Sequence, residues 1–325
     1  MKIVFILSGF SLSVKGRRIV FGAYQIRPCE GKPGCVTLGW MQSSSGQELR
    51  VGFLGVTSVL VDDGDTRLLT DGFFTRPALH RVLLGRLAPD GARIEQGLAR
   101  AGITDLRAVL VGHSHYDHAL DAPEVARRTG AVVVGSSSTA NLARGYGLPG
   151  EQIRVVEPGE PLVFDAFRVR FFPSRHASPN AAAGEISAPL TFPARARAFR
   201  DGGCFSLLIE HARGKSLLIQ ESAGFVKGAL AGARAEIALI SMAMLGRQPE
   251  SYRRAYFSET AGAVGAKVIC PLHYDDFFRP LENPPRRIPR WMDDLRPALD
   301  SLERWAGERG VRVSWLPAWQ MVPLD

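Results

Sequence analysis

Three histidines and an aspartate lie within six residues of one another, in the stretch Val111-Gly112-His113-Ser114-His115-Tyr116-Asp117-His118. Imidazole nitrogens and carboxylate oxygens are the ligands that zinc and similar divalent ions favour in proteins. The whole chain holds seven histidines, so chance explains this local density poorly. The stretch therefore predicts a metal-binding loop, and a set of solvated or core histidines is the weaker interpretation.

An apolar run from Leu106 to Val111 comes directly before this loop and predicts a buried strand. On a loop that leaves a strand end, alternate residues can point the same way, so His113 and His115 are expected to face one metal position. Asp117 and His118 would then turn toward a neighbouring position. The spacing therefore indicates a loop that could serve two adjacent metal ions.

Two more histidines follow apolar strands later in the chain. His176 comes after a β-type run that ends at Phe172, and His273 comes directly after a strand predicted over residues 267–272. Strand ends are where layered α/β folds place their functional loops, so we expect these histidines to converge with the first group. The six candidate ligands are His113, His115, Asp117, His118, His176 and His273.

The elements that must position these residues alternate between β-type and helical patterns, which favours a layered α/β fold. A three-stranded meander is expected near residues 50–70. Further strands are expected over 106–111, 131–134, 153–156, 161–172, 205–210, 215–219, 237–241 and 267–272. Helices are expected over 89–101, 122–128, 138–146, 250–262 and 291–309. Segments 73–87 and 178–203 lack such periodicity and are expected to wall the cleft, with a short surface helix as the alternative for 73–87.

The composition indicates a globular chain of 325 residues, 46% of them hydrophobic, with a net charge of +8. This positive charge favours anionic small-molecule substrates or surfaces. The basic residues are spread along the chain, so no nucleic-acid partner is expected. Four cysteines do not form a disulfide scaffold at this length: Cys29 and Cys35 could close a loop if exported, whereas Cys204 and Cys270 are expected to be buried thiols.

Residues 1–48 are expected to form an N-terminal extension, followed by a single domain over 49–325. The apolar run from Ile3 to Val14 resembles a signal-peptide core but lacks a clear cleavage site. It is also too short to span a bilayer as a helix. Residues 43–47 have the composition of a linker. We expect a cytoplasmic protein, with export or membrane association through the apolar N-terminus as the alternative.

The motif His113-x-His115-x-Asp117-His118 resembles that of the metallo-β-lactamase-fold superfamily. The preceding Leu69-Thr70-Asp71-Gly72, the mid-chain His176 and the late Pro271-Leu272-His273-Tyr274 add to this resemblance. It extends over about residues 50 to 280. Within the superfamily, the chain is most similar to the branch of ascorbate-phosphate lactonases and N-acylphosphatidylethanolamine-type phospholipases.

This resemblance implies a four-layer αββα sandwich with a metal site on one edge. It assigns His113, His115 and His176 to a first metal, and Asp117, His118 and His273 to a second. It implies that Asp71 supports the histidine loop and that a metal-activated water is the nucleophile. The metal would be Zn²⁺, with Mn²⁺ or Fe as alternatives.

Asp117 and Tyr274 are the catalytic candidates. Tyr116 and Tyr274 stand next to ligands and could donate a hydrogen bond to a developing oxyanion. Arg175 could neutralise a phosphate or carboxylate. For the two tyrosines and the arginine, ordinary packing or a surface ion pair is an equally open interpretation.

The sequence departs from the family at one position. Most members with two metals place a bridging aspartate in the turn that here reads Gln220-Glu221-Ser222-Ala223-Gly224-Phe225. This alignment puts Ser222 at the bridging position, and a neutral hydroxyl cannot supply the missing charge. Glu221 is one residue away and would point to the other side unless the turn bulges. We therefore expect one tightly bound metal and a weak or absent second one.

The leading functional hypothesis is a metal-dependent hydrolase that cleaves an ester, lactone, amide or phosphodiester bond. The alternative is a non-catalytic metal- or ligand-binding protein that kept the scaffold. A redox diiron protein is a third hypothesis, disfavoured because His115 stands where that branch usually has a glutamate. Neither the substrate nor the oligomeric state is predicted.

Overall fold

The computed structural model describes residues 48–324 in full and, before them, the backbone of four short strands. These strands are β1 (Ser11–Val14), β2 (Arg17–Val20), β3 (Tyr24–Pro28) and β4 (Val36–Trp40). They form two antiparallel hairpins, β1 with β2 and β3 with β4. The Cys29–Cys35 loop, the linker at 43–47 and most of the signal-like run lie outside the described residues.

Two seven-stranded mixed sheets form the centre of the molecule. The first contains β5 (Arg50–Phe53), β6 (Val59–Asp62), β7 (Arg67–Thr70), β8 (Ala108–Leu110), β9 (Val132–Gly135), β10 (Ile153–Val155) and the C-terminal β18 (Met321–Pro323), in the order β10-β9-β8-β7-β6-β5-β18. The second contains β11 (Leu162–Phe164), β12 (Phe167–Ser174), β13 (Cys204–His211), β14 (Ser216–Gln220), β15 (Ile237–Ser241), β16 (Val268–Leu272) and β17 (Arg312–Val313), in sequence order.

Alternation of side chains across the strands divides the core of the first sheet in two. On β8, Ala108 and Leu110 join the core between the sheets, whereas Val109 faces the outer side. On β7, Leu68 and Leu69 divide in the same way. Because both faces are buried, these strands read as continuous apolar runs.

Helices cover the outer face of each sheet. They are α1 (Leu79–Leu84), α2 (Gly91–Arg100), α3 (Tyr116–Ala119), α4 (Ala122–Thr129), α5 (Ser137–Tyr146), α6 (Glu250–Phe257) and α7 (Arg296–Gly307). Ile94 of α2, Val125 of α4 and Leu142 of α5 pack on the first sheet. Tyr256 of α6 and Trp305 of α7 pack on the second. The predicted four-layer αββα sandwich is confirmed.

Most predicted elements are present within a few residues of their expected ends. Strand β15 has the predicted bounds, and the segment 73–87 contains the short helix α1. The sequence did not indicate β17 and β18, which have two and three residues and are too short to show a period. No helix within the described ranges is long and apolar enough to cross a membrane.

Candidate metal centre

The six predicted ligands line or adjoin one cavity of about 540 Å³ at an edge of the sandwich. Residues 113–118 follow β8, His176 follows β12 and His273 follows β16. The histidine loop is fixed to the second sheet, because Phe205 N donates to Gly112 O at 2.9 Å and Ser114 N donates to Asp201 O at 2.9 Å. The structure therefore brings together the three strand ends that the sequence singled out.

The first group consists of His113, His115 and His176. One ligand atom from each lies within 4.8 Å of the others. The ring centroids of His115 and His176 are 4.5 Å apart, and those of His113 and His115 are 4.9 Å apart. Three imidazoles at this spacing can hold one divalent cation.

The second group consists of Asp117, His118 and His273, whose ligand atoms also lie within 4.8 Å of one another. Asp117 Oδ2 is 3.4 Å from His273 Nε2 and 3.8 Å from His118 Nε2. The ring centroids of His113 and His118 are 3.9 Å apart, so the two groups adjoin. The second group supplies the carboxylate that the first lacks.

Hydrogen bonds leave one nitrogen of most of these rings free. His115 Nε2 donates to Ala182 O at 3.3 Å, and His176 Nδ1 donates to Ala177 O at 2.7 Å. His118 Nδ1 donates to Asp71 Oδ2 at 2.8 Å. Among the described residues, neither nitrogen of His113 has a hydrogen-bond partner, although both are buried. Buried unpartnered nitrogens are costly unless a ligand satisfies them, so this donor set fits a metal ion.

Asp71 and Thr57 support His118 from behind. Thr57 Oγ1 donates to Asp71 Oδ2 at 2.5 Å and lies 2.9 Å from His118 Nδ1. Asp71 sits in the left-handed region with φ of 56°, which aspartate tolerates better than most residues. The geometry agrees with the supporting role expected for Asp71. Thr57 belongs to no recognisable motif, so sequence reasoning did not single it out.

A strained turn connects the first strands to the late histidine. Val56 has φ of 54°, an unusual conformation for a β-branched residue. Its carbonyl accepts from His273 N at 2.7 Å, and its amide donates to Asp275 Oδ1 at 2.9 Å. Asp275 also forms a buried ion pair with Arg76. The turn therefore fixes the backbone of His273 relative to the β5–β6 connection.

Glu221 is fully buried beside one histidine of each group and does not line the cavity. Its Oε2 accepts from Gly112 N at 2.7 Å and is 3.9 Å from His113 Nδ1 and 3.8 Å from His118 Nδ1. That nitrogen of His118 already donates to Asp71. Burial, together with the nearby Asp71 carboxylate, raises the pKa of Glu221 well above its usual range. Glu221, His113 and His118 are also close enough to form a third group of candidate ligands.

Gly112 is the sequence signal that could have located Glu221. A β-carbon at this position would lie 2.3 Å from Glu221 Oε2, so only glycine allows the approach. Ser222, the next residue along an extended segment, points to the opposite side and lines the cavity. Its hydroxyl accepts from Ala177 N at 2.9 Å. Of these two neighbours, Ser222 is therefore the one that lines the cavity.

Burial keeps the imidazoles of the first group neutral. It lowers the pKa of His113 well below the usual value, and the neighbouring histidines lower it further. Burial and His115 lower the pKa of His176 to about 4. Burial would raise the pKa of Asp117, but His118 and His273 outweigh it and hold that pKa below its ordinary value. Neutral imidazoles and an ionised carboxylate are the forms in which these residues bind metals.

The structure corrects the expectation for Tyr274. Its ring stacks on Phe53 at 5.5 Å and meets the edge of Trp315 at 4.8 Å, away from the cavity lining. His273 has φ of 53°, so the chain turns at this residue and the Tyr274 side chain packs in the core. Tyr116 does line the cavity. Arg175 is exposed and does not line it.

The cavity walls come from the two segments that the sequence suggested. Val82 and Leu83 of α1 form one side, and the 178–203 segment contributes several lining residues. The segment after β16 completes the wall with Phe277, Phe278 and Ile288. The cavity is thus polar at the histidines and mainly apolar along these walls.

A family model described as the metallo-beta-lactamase superfamily matches residues 51–217, just over half of the chain. A UPF0173 metal-dependent hydrolase from Heliobacterium modesticaldum is 28% identical over 130 residues, which cover 40% of this chain and 46% of that protein. The chain therefore spans about half the length of the curated relatives it matches.

Two solved structures share the fold. Igni18, a metallo hydrolase from Ignicoccus hospitalis, has a TM-score of 0.51 at 15% identity, covering 86% of this chain and 99% of its own. CmlA, a diiron beta-hydroxylase from Streptomyces venezuelae, has a TM-score of 0.53 at 15% identity, covering 87% of this chain and 55% of its own. At this identity the likeness shows the fold alone, and the fold is common to both kinds of enzyme.

Proposed function

We propose that this chain, which belongs to the metallo-beta-lactamase superfamily, is a metal-dependent hydrolase. Its substrate would be a small molecule with an ester, lactone, amide or phosphodiester bond. The observation that carries this proposal is the convergence of five histidines and Asp117 at one cavity, with His113 left entirely without hydrogen-bond partners. The matches to metal-dependent hydrolases support it.

We propose Zn²⁺ as the metal, because imidazole nitrogens dominate the donor set. Mn²⁺ or Fe are the alternatives. His113, His115 and His176 would hold the first ion, and Asp117, His118 and His273 would hold the second. Such an ion acts as a Lewis acid toward a carbonyl or phosphoryl oxygen and activates water as a nucleophile.

The occupancy of the two positions should be unequal. Of the two residues considered for the bridge, Ser222 lines the cavity with a neutral hydroxyl, whereas Glu221 does not line it and accepts from Gly112 N. Without an anionic bridge, two nearby dications repel each other with little compensation. We propose one tightly bound metal and a second that is weak or absent.

Two residues at the cavity would accept the proton of the attacking water and stabilise the oxygen that gains negative charge. Asp117 lies beside the Nε2 atoms of His118 and His273, where a carboxylate can orient a water and accept its proton. Tyr116 lines the cavity, and burial together with Asp117 raises the pKa of its phenol well above the usual value. It therefore remains a hydrogen-bond donor for an oxygen that gains negative charge. The apolar walls restrict access of bulk water.

Hydrolysis of simple lactone, ester and phosphodiester probes tests this proposal after reconstitution with Zn²⁺, Mn²⁺ or Fe²⁺. We expect chelation to abolish activity and metal to restore it, and His115→Ala to remove both activity and bound metal. His80→Ala is the matched control, because His80 is exposed on α1 and does not line the cavity.

Activity that survives both chelation and His115→Ala would contradict a metallohydrolase. Metal binding without hydrolysis of any probe class would favour the non-catalytic alternative. Elemental analysis after dialysis tests the occupancy: we expect about one equivalent of metal, unchanged in Glu221→Gln. Two equivalents in the parent protein, with one lost in Glu221→Gln, would mean that Glu221 supplies the bridge after all.

A further inference from the structure

The cavity rim consists of three segments that surround the opening of the cavity, namely 78–88, 186–200 and 283–292. The residues by which they line the cavity are Val82, Leu83, Gly85, Arg195, Ala196, Arg197, Phe199, Ile288 and Met292. Backbone hydrogen bonds in both directions between Leu87 and Ala194 join the first two segments. The third is attached to the strand end at the site, because Ile288 N donates to Tyr274 O at 3.1 Å.

The cavity rim concentrates exposed apolar side chains. Across residues 48–324, five large hydrophobic residues are exposed, and three of them lie on the rim: Leu83 at 68%, Leu84 at 80% and Trp291 at 74%. Helix α1 buries none of its residues. A short helix that presents two leucines to solvent contributes little to the core, so its role is to be sought at the surface.

The cavity rim also concentrates positive charge. It contains eight arginines and no acidic residue: Arg81, Arg86, Arg195, Arg197, Arg200, Arg286, Arg287 and Arg290. The whole chain has 40 basic and 32 acidic residues, so the remainder holds 32 of each and is balanced. All eight arginines are exposed. The three segments therefore carry a local excess of positive charge, flanked by the acidic residues Glu185, Asp201, Glu282, Asp293 and Asp294.

Several of these charges have no acidic partner. In the part of the chain from residue 48 to 324, the guanidinium groups of Arg81, Arg195 and Arg197 form no ion pair. Arginine forks match phosphate oxygens well, and unpaired ones at a surface are free to do so. Exposed leucines and a tryptophan among unpaired arginines are typical of a surface that lies in the headgroup region of a bilayer.

We propose that the cavity rim is a docking surface for bilayers that contain anionic lipids. Leu83, Leu84 and Trp291 insert among the headgroups, while the arginines contact lipid phosphates. A second copy of this chain fits the surface poorly, because a two-fold contact would place the same eight arginines against each other. Docking turns the cavity opening toward the bilayer and does not depend on hydrolysis.

Co-sedimentation of the full chain with extruded vesicles tests the docking. We expect binding to vesicles of equal parts phosphatidylcholine and phosphatidylglycerol, little binding to phosphatidylcholine alone, and release at high salt. The double variants Leu83→Ser with Leu84→Ser, and Arg195→Gln with Arg197→Gln, should each partition about tenfold more weakly. Val155→Ser is the control, because Val155 is exposed but lies outside the rim.

Fluorescence separates insertion from adsorption by charge alone. Brominated lipids in the mixed vesicles should quench tryptophan emission, and Trp291→Phe should remove most of that quenching. Vesicle binding that both double variants retain, or that leaves Trp291 unquenched, would overturn the proposal. So would an absence of vesicle binding combined with self-association that the leucine variant abolishes, since a second copy would then occupy the rim.

Discussion

Two buried histidine–aspartate pairs lie at opposite ends of the sandwich and differ in what surrounds them. His118 Nδ1 donates to Asp71 at 2.8 Å beside the cavity, and His211 Nε2 donates to Asp63 at 3.0 Å at the far end. The register places them apart, since Ser174 at the cavity end pairs with Cys204, whereas His211 pairs with Phe167. All four side chains are almost fully buried.

The pair at the far end satisfies its polar atoms internally. His211 Nδ1 accepts from Arg213 N at 3.2 Å, and Asp63 Oδ1 accepts from Asp65 N and Thr66 N. Beside His118, in contrast, His113 keeps two unpartnered nitrogens. A buried histidine–aspartate pair has a structural role where every polar atom has a hydrogen-bond partner. It can support a bound ligand where neighbouring polar atoms lack partners. The neighbouring atoms without hydrogen-bond partners, and not the pair itself, therefore mark the site.

The largest expected difference is in metal affinity, for the substitution Asp71→Asn. The asparagine oxygen can still accept from Thr57 and His118, but the charge that polarises His118 is lost. We expect metal affinity to fall by about 10- to 100-fold. Competition with a chromogenic chelator measures this. Equal affinity in the two proteins would separate Asp71 from metal binding.

The matched substitution Asp63→Asn should affect stability instead. The single asparagine oxygen must serve the amides of Asp65 and Thr66, so its NH₂ group meets the Nε2–H of His211. One buried donor is left unsatisfied, which should lower the free energy of unfolding by about 1–3 kcal/mol. Urea denaturation measures this change, and the chelator competition should show unchanged metal affinity. A loss of metal affinity would end the contrast between the two pairs.

Acid unfolding of the metal-free protein sharpens the contrast further. Against the cost of burial, hydrogen bonds from His211, Thr66 and Asp65 lower the pKa of Asp63 below its ordinary value of 3.8. A carboxyl whose folded-state pKa is lowered adds stability above the unfolded-state pKa and loses it as pH falls through the folded-state pKa. Asp63→Asn should therefore flatten the decline in stability below about pH 4. A parallel decline in both proteins would mean that Asp63 titrates normally.

The smallest expected effect concerns Thr57. Thr57→Val keeps the shape of the side chain but removes the hydroxyl that donates to Asp71, so Asp71 and His118 lose one fixed contact. We expect a reduction in metal affinity of about fivefold, corresponding to roughly 1 kcal/mol. Thr57→Ser, which keeps the hydroxyl, is the control and should bind metal nearly as well as the parent. If both variants lost affinity equally, packing of the methyl group would be the cause.

The sequence was sufficient to predict the site histidines, because histidine is rare in this chain and these residues follow strongly apolar strands. His113, His176 and His273 follow buried strands, so the pattern predicted both their strands and their convergence. The fold class followed from the alternation of elements. Asp71 was expected from the family resemblance, and its contact with His118 agrees.

The features that the sequence did not predict depend on side-chain directions, which the local sequence does not determine. Tyr274 turned into the core because its backbone neighbour His273 has φ of 53°. Thr57 reaches the site through the left-handed turn at Val56, which no turn motif predicted. The sequence pattern did not single out His211, because a single histidine at a strand end is usually a core residue. Long-range contacts of this kind are decided by the packed chain and not by short motifs.

The turn at Val56 also constrains the order of events in folding. It accepts the amide of His273 and donates to Asp275, although these residues lie more than two hundred positions away along the chain. Such a distant closure has a high entropic cost and is expected late, after both sheets have formed. Metal capture by the complete ligand set must therefore follow collapse of the core. In refolding experiments, tight metal uptake should lag behind the burial of Trp305. Metal binding should therefore report that both sheets have formed.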